Sequence, residues 1–271
     1  MKRYAKNILA AVLVLLLGLT VLTGCAPKKE EAGGDLLEKI QSRGTIIVAM
    51  EGTWAPWTYH NESDELVGYD VEVAKAIAQK LGVQAEFVEG EWDGLLAGLD
   101  DGRYDIMVNG VGITKERTLK YDFATPYAFN RTAVIVRGDY DEIASMEDLK
   151  GKKTANTISS TYALQAEAYG AEVTGVDDLN QTIELLLSGR IDATLNAEVV
   201  FNDYLKAHPE ANIKIAAYSD EVERIAIPVR KGENTASLLA AINEALQELA
   251  EDGTLSALSE KYFGIDISKG E

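Results

Sequence analysis

The sequence predicts an α/β protein of two lobes, each a mostly parallel sheet flanked by helices. Three observations carry that expectation. Short apolar, β-rich runs alternate with amphipathic helical patterns from Thr45 to Leu249, at the spacing that builds βαβ units. One helix-turn-strand unit occurs twice: Gly102-Arg103-Tyr104-Asp105-Ile106-Met107-Val108-Asn109 is echoed by Gly189-Arg190-Ile191-Asp192-Ala193-Thr194-Leu195-Asn196, each after a leucine-rich helical pattern. The length, 271 residues, suits one large or two medium domains with room for buried cores. Ligands of open α/β sheets lie beyond the carboxyl ends of the strands, so the segments after Asn109 and after Asn196 become candidate walls of one cleft.

Taken in order, Thr45 to Met50 reads as a strand, leading into Glu51-Gly52-Thr53-Trp54-Ala55-Pro56-Trp57, a loop with two aromatics. Asp70 opens a helix with Val71, Ala74, Ile77, Ala78 and Leu81 on one face, and Gly82 closes it. Ala85 to Val88 is a second strand. Trp92, Leu95, Leu96 and Leu99 recur at helical spacing, Gly102 ends that run, and Asp105 to Val108 reads as a buried strand. Strands follow at 132–136, 152–155, 172–176 and 193–195, with helices at 160–169 and 179–187 between the later ones. Ile225 to Val229 is one more strand, and 236–249 is a helix with Leu239, Ile242, Leu246 and Leu249 inward.

The stretch from Trp92 to Tyr127 is where ligand capture is expected. The backbone leaves the 105–108 strand through Asn109-Gly110-Val111-Gly112, and Thr114 is a good N-cap that puts Lys115, Glu116 and Arg117 in the first turn of a new helix. A cation there opposes the helix macrodipole by roughly 0.3–1 kcal/mol, so an anion near Arg117 is expected. Free N–H groups at that helix end would bind the same anion. The ordinary alternative is a nearly neutral surface pair with Glu116 or Asp122. Gly110 and Gly112 suit close approach of backbone to a ligand, or simply a turn.

Charge and termini narrow the class. The net charge is −18, and removing residues 1–24, which carry three cations (Lys2, Arg3, Lys6) and no acid, takes it to −21, which argues against a nucleic-acid partner. Those cations precede an apolar run from Ile8 to Leu22, as a secretory signal requires. The run is short of the ~20 apolar residues that a membrane span needs. Leu22-Thr23-Gly24-Cys25 resembles a bacterial lipobox, which would make Cys25 the lipidated mature N-terminus, held at a membrane surface by two or more acyl chains. As the sole cysteine, Cys25 has no internal disulfide partner. Residues 25–34 form a polar tether. His60 and His208 stand alone, so no metal site is expected, and no phosphate loop appears. Ser159 and Ser160 lack a glycine-flanked elbow, so capping or ligand contact is expected of them and no catalytic residue is assigned.

Several motifs, in this order and spacing, make the chain resemble the bacterial extracellular solute-binding proteins that feed polar amino acids to ABC transporters. They are Gly68-Tyr69-Asp70-Val71-Glu72-Val73-Ala74, Trp92-Asp93-Gly94-Leu95, Ile113-Thr114-Lys115-Glu116-Arg117, Tyr121-Asp122-Phe123-Ala124-Thr125-Pro126-Tyr127, and Asp252-Gly253-Thr254 with Lys261-Tyr262-Phe263-Gly264. The match spans residues 35 to 265. The Glu51-Gly52-Thr53 loop and Asn202-Asp203-Tyr204-Leu205-Lys206-Ala207-His208-Pro209 look most like the cystine-type binders. The resemblance implies the family 3, type II periplasmic-binding fold: lobe 1 from 35–130 and 230–271, lobe 2 from 131–229, and two hinge crossings. It implies that Arg117 clamps a ligand α-carboxylate, with the Gly112 N–H and with Ser160 and Thr161 of the opposing lobe. The Gly110 carbonyl would take the α-ammonium, Trp54 and Trp92 would sandwich the side chain, and Glu51 and Trp57 would lie on the same rim.

The same resemblance implies no cofactor, a monomer, and partnership with ABC permease subunits at the extracytoplasmic face of the membrane. One position departs from the pattern. The family commonly has an ammonium-binding aspartate where alignment on Asp192-Ala193-Thr194-Leu195-Asn196 puts Ala197, and Glu198, one residue on, would point to the other face of an extended segment. That departure keeps a dehydratase-like enzyme on the same fold, with Glu51 or Glu198 as buried general acid, and a sensory binding domain as alternatives.

Overall fold

The computed structural model describes residues 34–270, so the signal segment, Cys25 and nearly all of the tether lie outside the described residues. The first sheet is built on β1 (Thr45–Met50), whose Ile46, Val48, Ala49 and Met50 are fully buried. It runs parallel to β5 (Gln84–Glu89) on one side and β6 (Ile106–Met107) on the other. Helix α1 (Leu36–Arg43) leads into β1: the Asp35 side chain accepts from the Glu38 N–H at its start, and Gly44 at φ 77° closes it. Helices α2 (Tyr69–Lys80) and α3 (Trp92–Asp100) are the crossovers of that sheet. Two C-terminal helices, α8 (Ala236–Glu251) and α9 (Thr254–Phe263), complete its cover by packing on α2.

The second sheet runs in the order β10-β9-β11-β8-β12. Its strands are β8 (Ala128–Arg137), β9 (Lys153–Asn156), β10 (Glu172–Gly175), β11 (Ala193–Ala197) and β12 (Ile213–Ile225). β10, β9 and β11 are parallel, joined through α5 (Thr161–Ala168) and α6 (Leu179–Leu187). β8 is antiparallel to both β11 and β12. The antiparallel half has a simple cause: β8 carries the chain out of the first lobe and β12 carries it back, so the two crossings run in opposite senses. Helix α7 (Glu198–Ala207) follows β11 directly.

The duplicated motif is a duplicated structure. Asp105 exchanges two hydrogen bonds with the Ile47 backbone, its N–H reaching the carbonyl at 3.0 Å and its carboxylate accepting the N–H at 2.7 Å. Asp192 does the same with Lys153 at 2.8 and 2.9 Å. An arginine from a neighbouring strand then bridges equivalent carbonyls in each copy: Arg230 spans Leu99 and Tyr104, Arg137 spans Leu186 and Ile191. Each arginine thereby ties the last turn of the helix to the start of the strand that follows it.

The sequence expectation differs from the structure in several elements. The loop expected at 51–57 contains β2 (Thr53–Trp54), which forms a small antiparallel meander with β3 (Thr58–His60) and β4 (Leu66–Val67). Strands of two or three residues are too short to display a period of two. The single strand expected at 225–229 is broken. β12 ends at Ile225, and β13 (Pro228–Arg230) pairs with β7 (Tyr121–Phe123), after Ala226 donates to the Val111 carbonyl and Ala124 to that of Ile227. In α8 the inward position expected of Leu239 belongs to Leu238, which is fully buried. Among the described residues, no helix is long and apolar enough to cross a membrane.

Candidate ligand-binding cleft

The carboxyl ends of both parallel sheets open on one cleft, as strand direction demands. Its floor in the first lobe is the exit of β1 against the exit of β6. The Glu51 N–H donates to Asn109 Oδ1 at 2.8 Å, and Asn109 Nδ2 returns a bond to Glu51 Oε2 at 2.6 Å. Burial raises the Glu51 carboxyl to a pKa of about 7 against the opposing Asn109 donor, with Asp178 and Asp93 adding to the rise.

Gly110 comes next, at φ 54°, with no room for a side chain: a Cβ there would sit 2.5 Å from the Trp54 ring. The glycine therefore lets an indole lie flat on the backbone. Beneath it, Asp70 accepts from the Gly110 N–H at 2.6 Å and from the Tyr127 hydroxyl at 2.7 Å. Complete burial raises Asp70 to about 7, although both donors favour its charged form. Asp70 is thus the support that fixes Gly110, a role that an aspartate at a helix start does not announce in sequence.

Arg117 extends from α4 (Lys115–Lys120), which Thr114 caps by accepting from the Arg117 N–H at 3.1 Å. The side chain turns inward and is 8% exposed, with its guanidinium 5.1 Å over the Trp92 ring. It donates to the Gly112 carbonyl at 2.8 Å and, across the cleft, to the Ser159 carbonyl at 3.1 Å. Burial lowers its pKa, while Glu223, Tyr162, Tyr121 and Glu116 oppose that change. The surface pair with Asp122 is not formed; Asp122 lies 3.8 Å from Lys231.

The second lobe faces this arrangement with the start of α5. Ser160 is the N-cap, its hydroxyl accepting from the Ala163 N–H at 3.1 Å, and Ser160 and Thr161 both line the cleft. Asn196, at the end of β11, accepts from Trp54 Nε1 at 3.2 Å. A third contact joins the lobes where the Ser159 hydroxyl donates to Asp93. Trp54 and Trp92 are 9% and 7% exposed, so the cleft is nearly shut around them. It holds roughly 590 Å³ of empty space, mouth included. Several polar atoms around it are buried without a partner: Trp92 Nε1, Asn156 Oδ1 and both carboxyl oxygens of Glu223. Orphans of this kind ask for a polar guest.

Two of the residues expected at the site are elsewhere. Trp57 does not reach the rim: it is fully buried behind Trp54, stacked on it at 5.4 Å and 10°, with Tyr69 edge-on at 5.7 Å. A second tryptophan three residues on is what keeps the first one upright. Ala197 is fully buried and does not line the cleft; the period-two alternation of β11 presents Asn196 there and turns Ala197 inward. Glu198 faces Arg131 at 3.8 Å and is likewise no part of the wall. Gly112 is present beside Arg117, but its carbonyl is what the guanidinium holds. Asn156, Asp178 and Asn196 line the cleft and were not singled out by the sequence, because asparagine and aspartate at strand and helix ends read as ordinary turn and cap residues.

Two lobes joined by a pair of crossing strands, with indoles, one buried arginine and a helix start converging between them, define a receptor that encloses a small polar solute. The chain belongs to the bacterial extracellular solute-binding proteins, family 3, whose family model matches residues 46–265. It is 40% identical over 243 residues to the L-cystine-binding protein TcyA of Bacillus subtilis, covering 89% of this chain and 90% of that one. An ancestral arginine-binding protein bound to arginine superposes with a TM-score of 0.76 at 39% identity, covering 82% of this chain and 99% of that one. The L-cystine solute receptor of Neisseria gonorrhoeae, in its unliganded open conformation, is 42% identical over 88% of this chain and all of that one, yet its TM-score is 0.58. Better superposition on the less identical, arginine-bound structure agrees with the three contacts across the cleft: this is a closed arrangement.

Proposed function

We propose that this protein captures a polar α-amino acid between its lobes, with L-cystine the foremost candidate, and delivers it to the permease of an ABC importer. The observation that carries the reading is that Arg117, bonded to the Gly112 carbonyl and lying over Trp92, reaches across to the Ser159 carbonyl beside the Ser160–Thr161 helix start, which lines the cleft together with Trp54 and Trp92. Arg117 and the free N–H groups of α5 receive the α-carboxylate, Gly110 contributes its carbonyl to the α-ammonium, and the two indoles flank the side chain. Glu51 and Asp178 lend the far end of the slot a negative potential, suited to a second ammonium such as cystine carries.

In this reading residues 35–130 and 230–271 move against 131–229, and the bound solute stabilises the closed state by its differential affinity for it. Lipid on Cys25 keeps the receptor at the extracytoplasmic face. A dehydratase-like enzyme would need a free general acid, and only Glu51 supports it; its pKa of about 7 suits proton transfer, but one of its carboxyl oxygens is tied to Asn109 Nδ2. Native mass spectrometry of the purified protein tests the proposal. A co-purifying α-amino acid is expected, whereas a ligand without an α-amino group, or turnover of a cyclic carboxylic acid, would overturn it.

A further inference from the structure

Glu223 is a buried acid that no step so far uses. It lies near the end of β12, where the Ile113 N–H donates to the Arg224 carbonyl at 3.0 Å and Gly112 bridges Ile225. That pairing lays the Glu223 side chain over Gly112 so closely that a Cβ on Gly112 would be 1.9 Å from Glu223 Oε1. Gly112 is therefore glycine because Glu223 occupies the space above it. On its other sides the carboxylate faces the Thr161 hydroxyl and the Arg117 guanidinium, which favour its charged form against the burial that raises its pKa. It stands at the edge of the proposed carboxylate seat.

The position is costly as it is. Both oxygens are out of contact with solvent, and apart from the nearby Thr161 hydroxyl neither has a hydrogen-bond donor among the described residues. Arg117 directs two of its five N–H groups to the Gly112 and Ser159 carbonyls instead. Asn130, opposite Glu223 in the strand register, also has an unpartnered Nδ2. What the site lacks is a cation with several donors. An α-amino acid carries an ammonium on the same carbon as its carboxylate, so seating the carboxylate on Arg117 brings the ammonium to the neighbouring acid. Of the other acids, Glu51 holds Asn109, Glu198 faces Arg131, and Asp178 lines the cleft while capping α6 through the Gln181 N–H; position 197 offers only a buried methyl.

We propose that Glu223 receives the α-ammonium of the ligand. The inference rests on the amino-acid reading above, and its test separates the two. Calorimetry on the purified protein compares wild type with Glu223→Gln, using L-cystine and L-arginine and, against them, their counterparts without α-amino groups, dithiodipropionate and guanidinopentanoate. Glu223→Gln is expected to weaken the L-amino acid that binds wild type by at least tenfold, and to leave its des-amino counterpart unchanged or tighter, with an unaltered thermal midpoint. Unchanged affinity would overturn the proposal and assign Glu223 to an internal pair with Asn130. Tighter binding of the L-amino acid would overturn it too, making Glu223 an internal rival for the carboxylate seat. A wild type that binds neither L-cystine nor any proteinogenic L-amino acid would overturn both this proposal and the function it rests on.

Discussion

At the scale of single residues, Arg117 concentrates the physics of the cleft. A guanidinium 8% exposed, stacked near an indole and bonded to two carbonyls, is held in place by neutral acceptors and still has N–H groups to offer. Arg117→Ala is expected to leave the fold intact, because the side chain belongs to the cleft and not to a hydrophobic cluster. It should cost about 2–5 kcal/mol of affinity for a carboxylate ligand, the loss typical of truncating one partner of a buried charge pair. Circular dichroism would check the first half and calorimetry the second; undiminished affinity would remove Arg117 from the site. This residue was legible in sequence because a cation in a helix's first turn is an electrostatic anomaly. Glu223 was not: it lies in Tyr218-Ser219-Asp220-Glu221-Val222-Glu223-Arg224, a polar run that reads as loop yet forms a crossing strand with two register shifts. Trp57 misled for the opposite reason, since a tryptophan at a strand end looks alike whether it faces ligand or props up one that does.

At the scale of elements, the start of α2 supports the exit of β6. Asp70, completely buried, ties the Gly110 N–H to the Tyr127 hydroxyl. With Glu51, it gives the fold two carboxyls whose pKa values burial raises to about 7. Between the ordinary carboxylate range and pH 7 the folded state keeps protons that the unfolded chain has lost, so these groups make stability fall as pH rises through that window. Below it, Asp266 acts in the opposite sense. Although burial would raise its pKa, hydrogen bonds from Ser256, Ser268 and Lys269 hold it under the usual range, so its contribution is lost in acid. The thermal midpoint is expected to be highest at about pH 4, where the two windows meet, and Asp70→Asn, which cannot titrate, should flatten the decline from there to about pH 7. An Asp70→Asn profile parallel to wild type would contradict the account. Periodicity makes most helices of both sheets legible, but not α1, α7 and α9. Strand partners were less so, because direction follows from chain crossings that no local pattern records.

At the scale of the whole molecule, the twin helix-turn-strand units at 102–109 and 189–196 foretold two lobes, and a lipid on Cys25, behind the apolar leader, belongs to the proposed function. Cys25→Ser is expected to abolish acylation and release the receptor from the membrane fraction, since the thiol is the attachment atom; fractionation with mass analysis reads it, and wild-type protein without an acyl mass on Cys25 would refute the anchor. Closure is the central claim. Titrating the purified protein with L-cystine and the proteinogenic L-amino acids, calorimetry should show saturable binding of one molecule per chain with a negative heat-capacity change, as burial of a solute between two closing lobes requires. Absence of binding by every one of them would contradict the account.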